Sequence, residues 1–228
     1  MSGILGPMKP KALIAWSSGK DSAWALHQAR LSDEYEVVGA LTTITENLDR
    51  VSMHGVRREI LEAQLRAAKL PLTPVTIPFP CPNQIYEQRM AEVVEIAHGQ
   101  GVRKIIFGDL FLEDIRSYRE EKMRGTGIEA VFPLWKIPTD KLARDMIAGG
   151  LQARVVTLDP TRVPRELAGK VFDNDLLAGL PAGVDPCAEN GEFHTCVVGG
   201  PMFEYDVDVQ VGEIVERDGF VFADLKLI

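Results

Sequence analysis

The sequence predicts an α/β fold, a parallel sheet with flanking helices, followed by a smaller α+β part. Three observations carry that reading. Short apolar runs alternate with helical stripes through the first half of the chain. The turns between them are short, which suits strands joined by helical crossovers. Beyond about residue 135 the alternation loosens, and residues 205–228 alternate apolar and polar positions as a hairpin does.

Residues 11–16 (KALIAW) form a short apolar run fit for a buried strand. Residues 21–31 read as a helix, with Trp24, Ala25 and Leu26 near its start and Trp24 assigned to the core. Residues 35–44 read as a strand. Residues 56–70 carry Val56, Ile60, Ala63 and Ala67 flanked by Leu61, Leu65 and Ala68, a helical stripe. A strand follows at 72–77. The next helix spans 83–98, with Tyr86, Met90, Val93, Val94 and Ala97 on one face, and a strand at 103–108 comes after it. Residues 113–124 form a charged helix whose basic run, Arg116, Arg119, Lys122 and Arg124, reads as a solvated face or as a gate near phosphates. An apolar segment at 130–135 precedes a helix over 139–148, closed by Gly149-Gly150. A strand at 153–158 and a helix at 164–177, with Pro164 at its start, lead toward the final hairpin. That hairpin turns at Arg217-Asp218-Gly219. The boundary near residue 135 divides the chain into 1–135 and 136–228.

Composition narrows the function classes. The 228 residues include 33 acidic and 25 Lys/Arg side chains, a formal charge of −8. Residues 1–184 are neutral, with 23 acidic and 23 basic residues, while residues 185–228 hold 10 acidic and 2 basic. The net charge therefore does not by itself exclude RNA, because Arg57, Arg58 and the run from Arg116 to Arg124 lie in the neutral part. No apolar run approaches the ~20 residues a membrane span needs, and no secretory leader is recognisable. A cytoplasmic location is expected. Three cysteines, Cys81, Cys187 and Cys196, make no disulfide framework and no paired zinc spacing.

The loop Ser17-Ser18-Gly19-Lys20-Asp21-Ser22 follows an apolar strand and opens a helix. In a parallel sheet, ligands bind at the carboxyl ends of strands, and helix N-termini attract anions. Small residues at 17, 18 and 19 let a phosphate approach the backbone. The Ser17 and Ser22 hydroxyls can donate to it, Lys20 can neutralise charge, and Asp21 can hold Mg²⁺. A Walker A loop is excluded, since Ile14 and Asp21 stand where Gly and Ser or Thr are required. The plainer reading is a polar cap made by Ser17 or Ser18. The second dense segment is residues 183–195, GVDPCAENGEFHT, with two carboxylates, an amide, an imidazole and a hydroxyl between Glu189 and Thr195. A loop so rich is either a site or a capped surface turn.

SSGKDS resembles the SGGxDS loop of the N-type ATP pyrophosphatases, also called the PP-loop superfamily, with Ser18 in place of a glycine. Residues 183–195 closely resemble the GxDPCGExGEFHT signature of the diphthine–ammonia ligase family, with Ala188 in place of another. Ser52-Met53-His54, Phe107-Gly108-Asp109 with Asp114, Tyr118 and Arg119, Pro133-Leu134-Trp135 and residues 146–150 extend the likeness from about residue 11 to 205, closest to the short prokaryotic members. The resemblance implies a HUP-type, adenine nucleotide alpha hydrolase-like domain over 1–135. A smaller α+β substrate-binding domain would occupy 136–228. It also implies the chemistry: ATP adenylates a diphthine-like carboxylate, pyrophosphate leaves, and ammonia displaces AMP to give an amide. The acid would be borne by elongation factor 2 in an archaeal or eukaryotic source and would be another carboxylate in a bacterium.

On this reading Ser17, Ser18, Gly19, Lys20, Asp21 and Ser22 take the phosphates. Thr42 and Thr43 border adenine, and Gly108 and Asp109 complete the nucleotide site. Asp21 and Asp109 ligate Mg²⁺. Lys20, Asp21, Glu189, Glu192 and His194 are the catalytic candidates, with Glu192 or His194 as the base. His54, Asp185, Asn190, Gly191 and Thr195 hold the acyl substrate or the amine. Two other readings remain. One is tRNA thiolation, which needs sulfur-carrying cysteines. The other is a nucleotide-binding or hydrolysing protein without ligase activity. A homodimer is left open.

Overall fold

The computed structural model describes residues 8–228. The first sheet is built from β1 (Lys11–Ala15), β2 (Glu36–Thr45), β3 (Arg50–Val51), β4 (Leu72–Ile77), β5 (Val102–Ile106) and β6 (Glu129–Val131). Helices α1 (Lys20–Ser32), α2 (Arg58–Ala67), α3 (Asn83–Gly99) and α4 (Glu113–Met123) connect them. The second sheet contains β7 (Gln152–Leu158), β8 (Phe193–Gly199), β9 (Val209–Arg217) and β10 (Phe220–Leu227), entered through α5 (Thr139–Ala148) and α6 (Asn174–Ala178).

β4, β2, β1, β5 and β6 lie side by side and all pair in parallel. The strand order reverses between β1 and β5, the switch point at which such sheets bind ligands. β3 pairs antiparallel with Ile44 and Thr45, and β4 occupies the opposite edge of those residues. β3 therefore sits on the β1 edge of β2, beyond the carboxyl end of β1. It hangs the Ser52–His54 turn over the switch point. The second sheet is antiparallel in the order β8-β7-β10-β9.

Alternation along β1 sends Ala12 and Ile14 to one face and Leu13 to the other. One face packs with α3 and α4 around Leu41, Val75, Val94, Ile105, Phe107 and Met123. The other face, α1, α2, α5 and the second sheet share a single core, including Trp24, Ile60, Leu65, Met146, Val155, Phe193, Val197 and Val221. Trp24 is core, as read from sequence.

The α/β class, the parallel first sheet and the final hairpin agree with the sequence reading; the hairpin turns at Asp218 and Gly219, both at positive φ. The predicted helix over 164–177 does not form. A single 3-10 turn at Arg165–Leu167 gives way to Gly169 at φ +79, Val171 bridges to Arg154, and a new short helix starts where the Asp173 carboxylate accepts from Leu176 N–H. β3 and β8 are further elements beyond the sequence reading. Among the described residues no helix is long and apolar enough to cross a membrane.

Candidate functional site

The loop after β1 begins with Trp16 N–H donating to Leu41 O at 2.8 Å. Gly19, with φ −91 and ψ 170, holds the cap position of α1, and no side chain of the loop caps the helix. The serine-cap reading is therefore replaced by an internal hydroxyl network. Ser22 Oγ donates to Gly19 O at 3.0 Å and lies 3.1 Å from Ser17 Oγ. Ser18 is buried at φ +69, and its Oγ has no partner among the described residues.

Strand β8 closes the loop from the other sheet. Lys20 N–H donates to Thr195 Oγ1 at 3.1 Å, and Val197 N–H donates to Ser18 O at 2.8 Å. His54 Nδ1 lies 3.1 Å from Thr195 O. Gln64, fully buried on α2, accepts from Trp16 Nε1 at 3.1 Å and donates to Val197 O at 2.6 Å and Ser18 O at 3.2 Å. The sequence reading passed over Gln64; its signal is a polar residue on the core face of an apolar helical stripe.

Lys20 is 2% exposed, donating to Cys187 O at 2.5 Å and to Asp21 Oδ2 at 2.9 Å. Burial lowers its pKa, but Asp21, Cys187 and Glu189 around it together outweigh burial and the ammonium is held above the ordinary lysine value. Asp21 Oδ1 is buried without a partner among the described residues. Gly108, after β5, allows the sheet to meet the first turn of α1. A Cβ there would lie 2.8 Å from the Asp21 carbonyl carbon and 2.9 Å from Ser22 N. The next residue, Asp109, has both oxygens engaged by Arg119, at 2.6 and 3.1 Å. Arg119 thus belongs to the site. Arg116 pairs with Glu120 and Lys122 with Glu87. Thr42 is buried toward the end of β2 with an Oγ1 unpartnered among the described residues, and the carbonyl of half-buried Thr43 accepts from Ser52 N–H at 3.1 Å.

Residues 183–195 fold over this loop. Glu189 Oε1 accepts from Leu110 N–H at 2.7 Å, and burial pushes its carboxyl up to about 7. Glu189 N–H in turn donates to Asp185 Oδ2 at 2.8 Å. Glu192 is completely buried; its Oε1 accepts from Arg162 at 2.9 Å, from Asp185 N–H at 3.2 Å and from Asn190 Nδ2 at 3.2 Å. These bonds make Glu192 an internal fastener of the loop, while its Oε2 is buried without a partner among the described residues. Gly191 takes the tight turn at φ +81, and Asn190 is exposed. The His54 and His194 rings lie 4.6 Å apart; burial lowers His54 to about 3 and His194 to about 4, so both imidazoles are neutral near pH 7.

This donor set fits a nucleotide accompanied by a hard cation. Buried oxygens on Asp21 and Ser18 lack partners among the described residues, and both lie at a strand-to-helix loop at the switch point. Among the described residues no three His, Cys, Asp or Glu gather as a metal cage. Mg²⁺ commonly needs only one or two carboxylates beside phosphates and water. The cysteines suit sulfur transfer poorly. Cys187 and Cys196 are buried, and burial raises both thiols, Cys196 to about 12.

Comparison with known proteins matches residues 8–130 to a family model described as the diphthamide synthase N-terminal domain and residues 138–226 to the diphthamide synthase C-terminal domain. The chain is 24% identical to the diphthine–ammonia ligase of Schizosaccharomyces pombe; the match covers 96% of this chain but 39% of that protein. It is 25% identical to the human diphthine–ammonia ligase and 23% identical to that of the rat, each match covering 97% of this chain and 90% of the relative.

Proposed function

Since the chain belongs to the diphthamide synthase family, we propose that it is an ATP-dependent ligase that adenylates a diphthine-like carboxylate and lets ammonia displace AMP. The observation that carries this reading is the meeting of the 17–22 loop, whose Asp21 and Ser18 oxygens have no partner among the described residues, and the 183–195 loop stitched across it. Residues 1–135 would hold ATP and residues 136–228 the acid and amine. The relatives' name supplies the substrate class, and elongation factor 2 is the protein substrate the resemblance implies.

The chemistry assigns each part a task. A carboxylate resists ammonia because its charge and resonance repel a nucleophile. In the first step its oxygen attacks the α-phosphorus, the bond to the β-phosphate oxygen breaks, and pyrophosphate departs. Backbone N–H groups at the start of α1 would face the phosphates and would stabilise the departing charge. Asp21, with Asp109 if Arg119 is displaced, would hold Mg²⁺, which neutralises pyrophosphate charge when bound. In the second step ammonia adds to the acyl carbon and the bond to AMP breaks; ammonium gives up two protons on the way to the amide, the first to solvent as ammonia forms and the second after ammonia has added. Neutral His194, its ring tilted 42° against that of His54, is the assigned acceptor for the second of them. Glu189 holds the β5–α4 connection through Leu110, and Thr195 holds the start of α1. The loop over the site keeps water from the adenylate.

The test is ATP–pyrophosphate exchange across a panel of acids that includes diphthine-bearing elongation factor 2, followed by ammonium-dependent AMP release. Exchange with an acid, and AMP release on adding ammonium, are expected. His194→Ala should spare exchange and slow AMP release by about 10²-fold, the usual size of a general-base effect. Absence of exchange with every acid would sink the ligase reading. Loss of exchange in His194→Ala would remove His194 from the second step.

A further inference from the structure

A lysine in a nucleotide loop is expected to reach the phosphates, and Lys20 reaches the other way. Its ammonium lies between the carbonyl of Cys187 at 2.5 Å and the Oδ2 of Asp21 at 2.9 Å. The rings of Phe172 and Phe193 cover it, with centroids 5.6 and 5.7 Å away. Two of its three N–H groups are therefore satisfied by oxygen, and aromatic faces line the rest of its surroundings. The side chain is 2% exposed, so it cannot touch a ligand without withdrawing from all four partners. Asp21 keeps its other oxygen, Oδ1, buried and unpartnered among the described residues.

We propose that Lys20 is a positioning residue: it grips Asp21 through Oδ2, so that Oδ1 is presented to the divalent cation of a nucleotide, and it locks that carboxylate to the 183–195 loop through Cys187 O. The grip removes rotational freedom that a half-buried aspartate would otherwise keep. It also joins the two halves of the site, since the same ammonium bonds residues 21 and 187. The inference rests on the ATP reading above and assigns Lys20 to the cation rather than to the phosphates.

Two experiments separate these roles. Calorimetric binding of a non-hydrolysable ATP analogue, with Mg²⁺ and with a chelator, is measured for the full-length protein and for Lys20→Met, Asp21→Asn and the double variant. In Lys20→Met the gain in affinity on adding Mg²⁺ should shrink by about tenfold, about 1.4 kcal/mol, while affinity in chelator stays within about threefold. The double variant should bind no more weakly than Asp21→Asn, because Lys20 acts through Asp21. An equal loss in chelator, or additive losses in the double variant, would overturn the proposal. The unaltered protein gives the second readout, which does not depend on any variant folding. An ATP analogue with a terminal acyl phosphate acylates lysines that touch the phosphates, and Lys20 should escape it. Acylation of Lys20 would overturn the positioning role while supporting the ATP reading. A protein that binds no nucleotide under any of these conditions would overturn both.

Discussion

Two residues at which this chain departs from the family's glycines share one conformation. Ser18 lies at φ +69 and Ala188 at φ +57, both in the left-handed region. A Cβ there costs about 1–2 kcal/mol. Glycine returns about 0.5–1 kcal/mol of that through the entropy of the unfolded chain. Ser18→Gly should therefore raise stability by about 0.5–1 kcal/mol, read as a higher urea midpoint at unchanged slope. Ala188→Gly should gain less, because the Ala188 methyl is buried. A lower midpoint in Ser18→Gly would show that its backbone carries no strain. The sequence named both departures and most residues of the two loops. It named Arg119 only as a solvated face or a gate near phosphates, and it did not name Gln64 or Arg162, whose partners lie elsewhere in the chain: Gln64 bonds Val197 across 133 positions and Arg162 bonds Glu192 across 30. A lone polar residue in a stripe says that it needs a partner, without saying which.

The elements that were legible are those with a single local period. The strand and helix alternation through β5 follows from apolar spacing alone. The helix misread over 164–177 had that spacing too, but Gly169 at φ +79 and the Asp173 cap break it into a turn and a separate short helix. β8 was hidden for a different reason. It is buried along most of its length and lies between β7 and the loop before α1, so its residues show no polar alternation. The element that bears most on the site is the end of β5, where Gly108 meets the backbone of Asp21 and Ser22 with no flexible side chain between. Gly108→Ala should push β5 away from α1, costing about 1–3 kcal/mol of stability as an overpacking change does. Nucleotide affinity should fall at least about tenfold with it. Calorimetry of unfolding and of analogue binding would measure both. Wild-type affinity in that variant would mean that the close approach is incidental to the site.

At the scale of the whole molecule, the two sheets are distinct in pairing and continuous in packing. Phe203 lies 6.1 Å from Trp16, Arg30 bonds Met202 O, and α1 and α2 share their core with β7, β8 and β10. The boundary near residue 135 separates strand types. It does not separate cores, and apolar periodicity has no means of reporting that. The complete chain should therefore unfold in one calorimetric transition. A fragment of residues 1–135 should lack a cooperative transition, because the second-sheet partners of α1 and α2 are missing. A sigmoidal melt of the fragment near the midpoint of the full chain would refute this. The bond between Lys20 N–H and Thr195 Oγ1 spans 175 residues. A ribosome adding about 5–20 residues per second takes roughly 10 to 35 s to cross that span. The loop before α1 waits that long for β8, so a nascent chain cannot stitch this loop to the second sheet until β8 has been made.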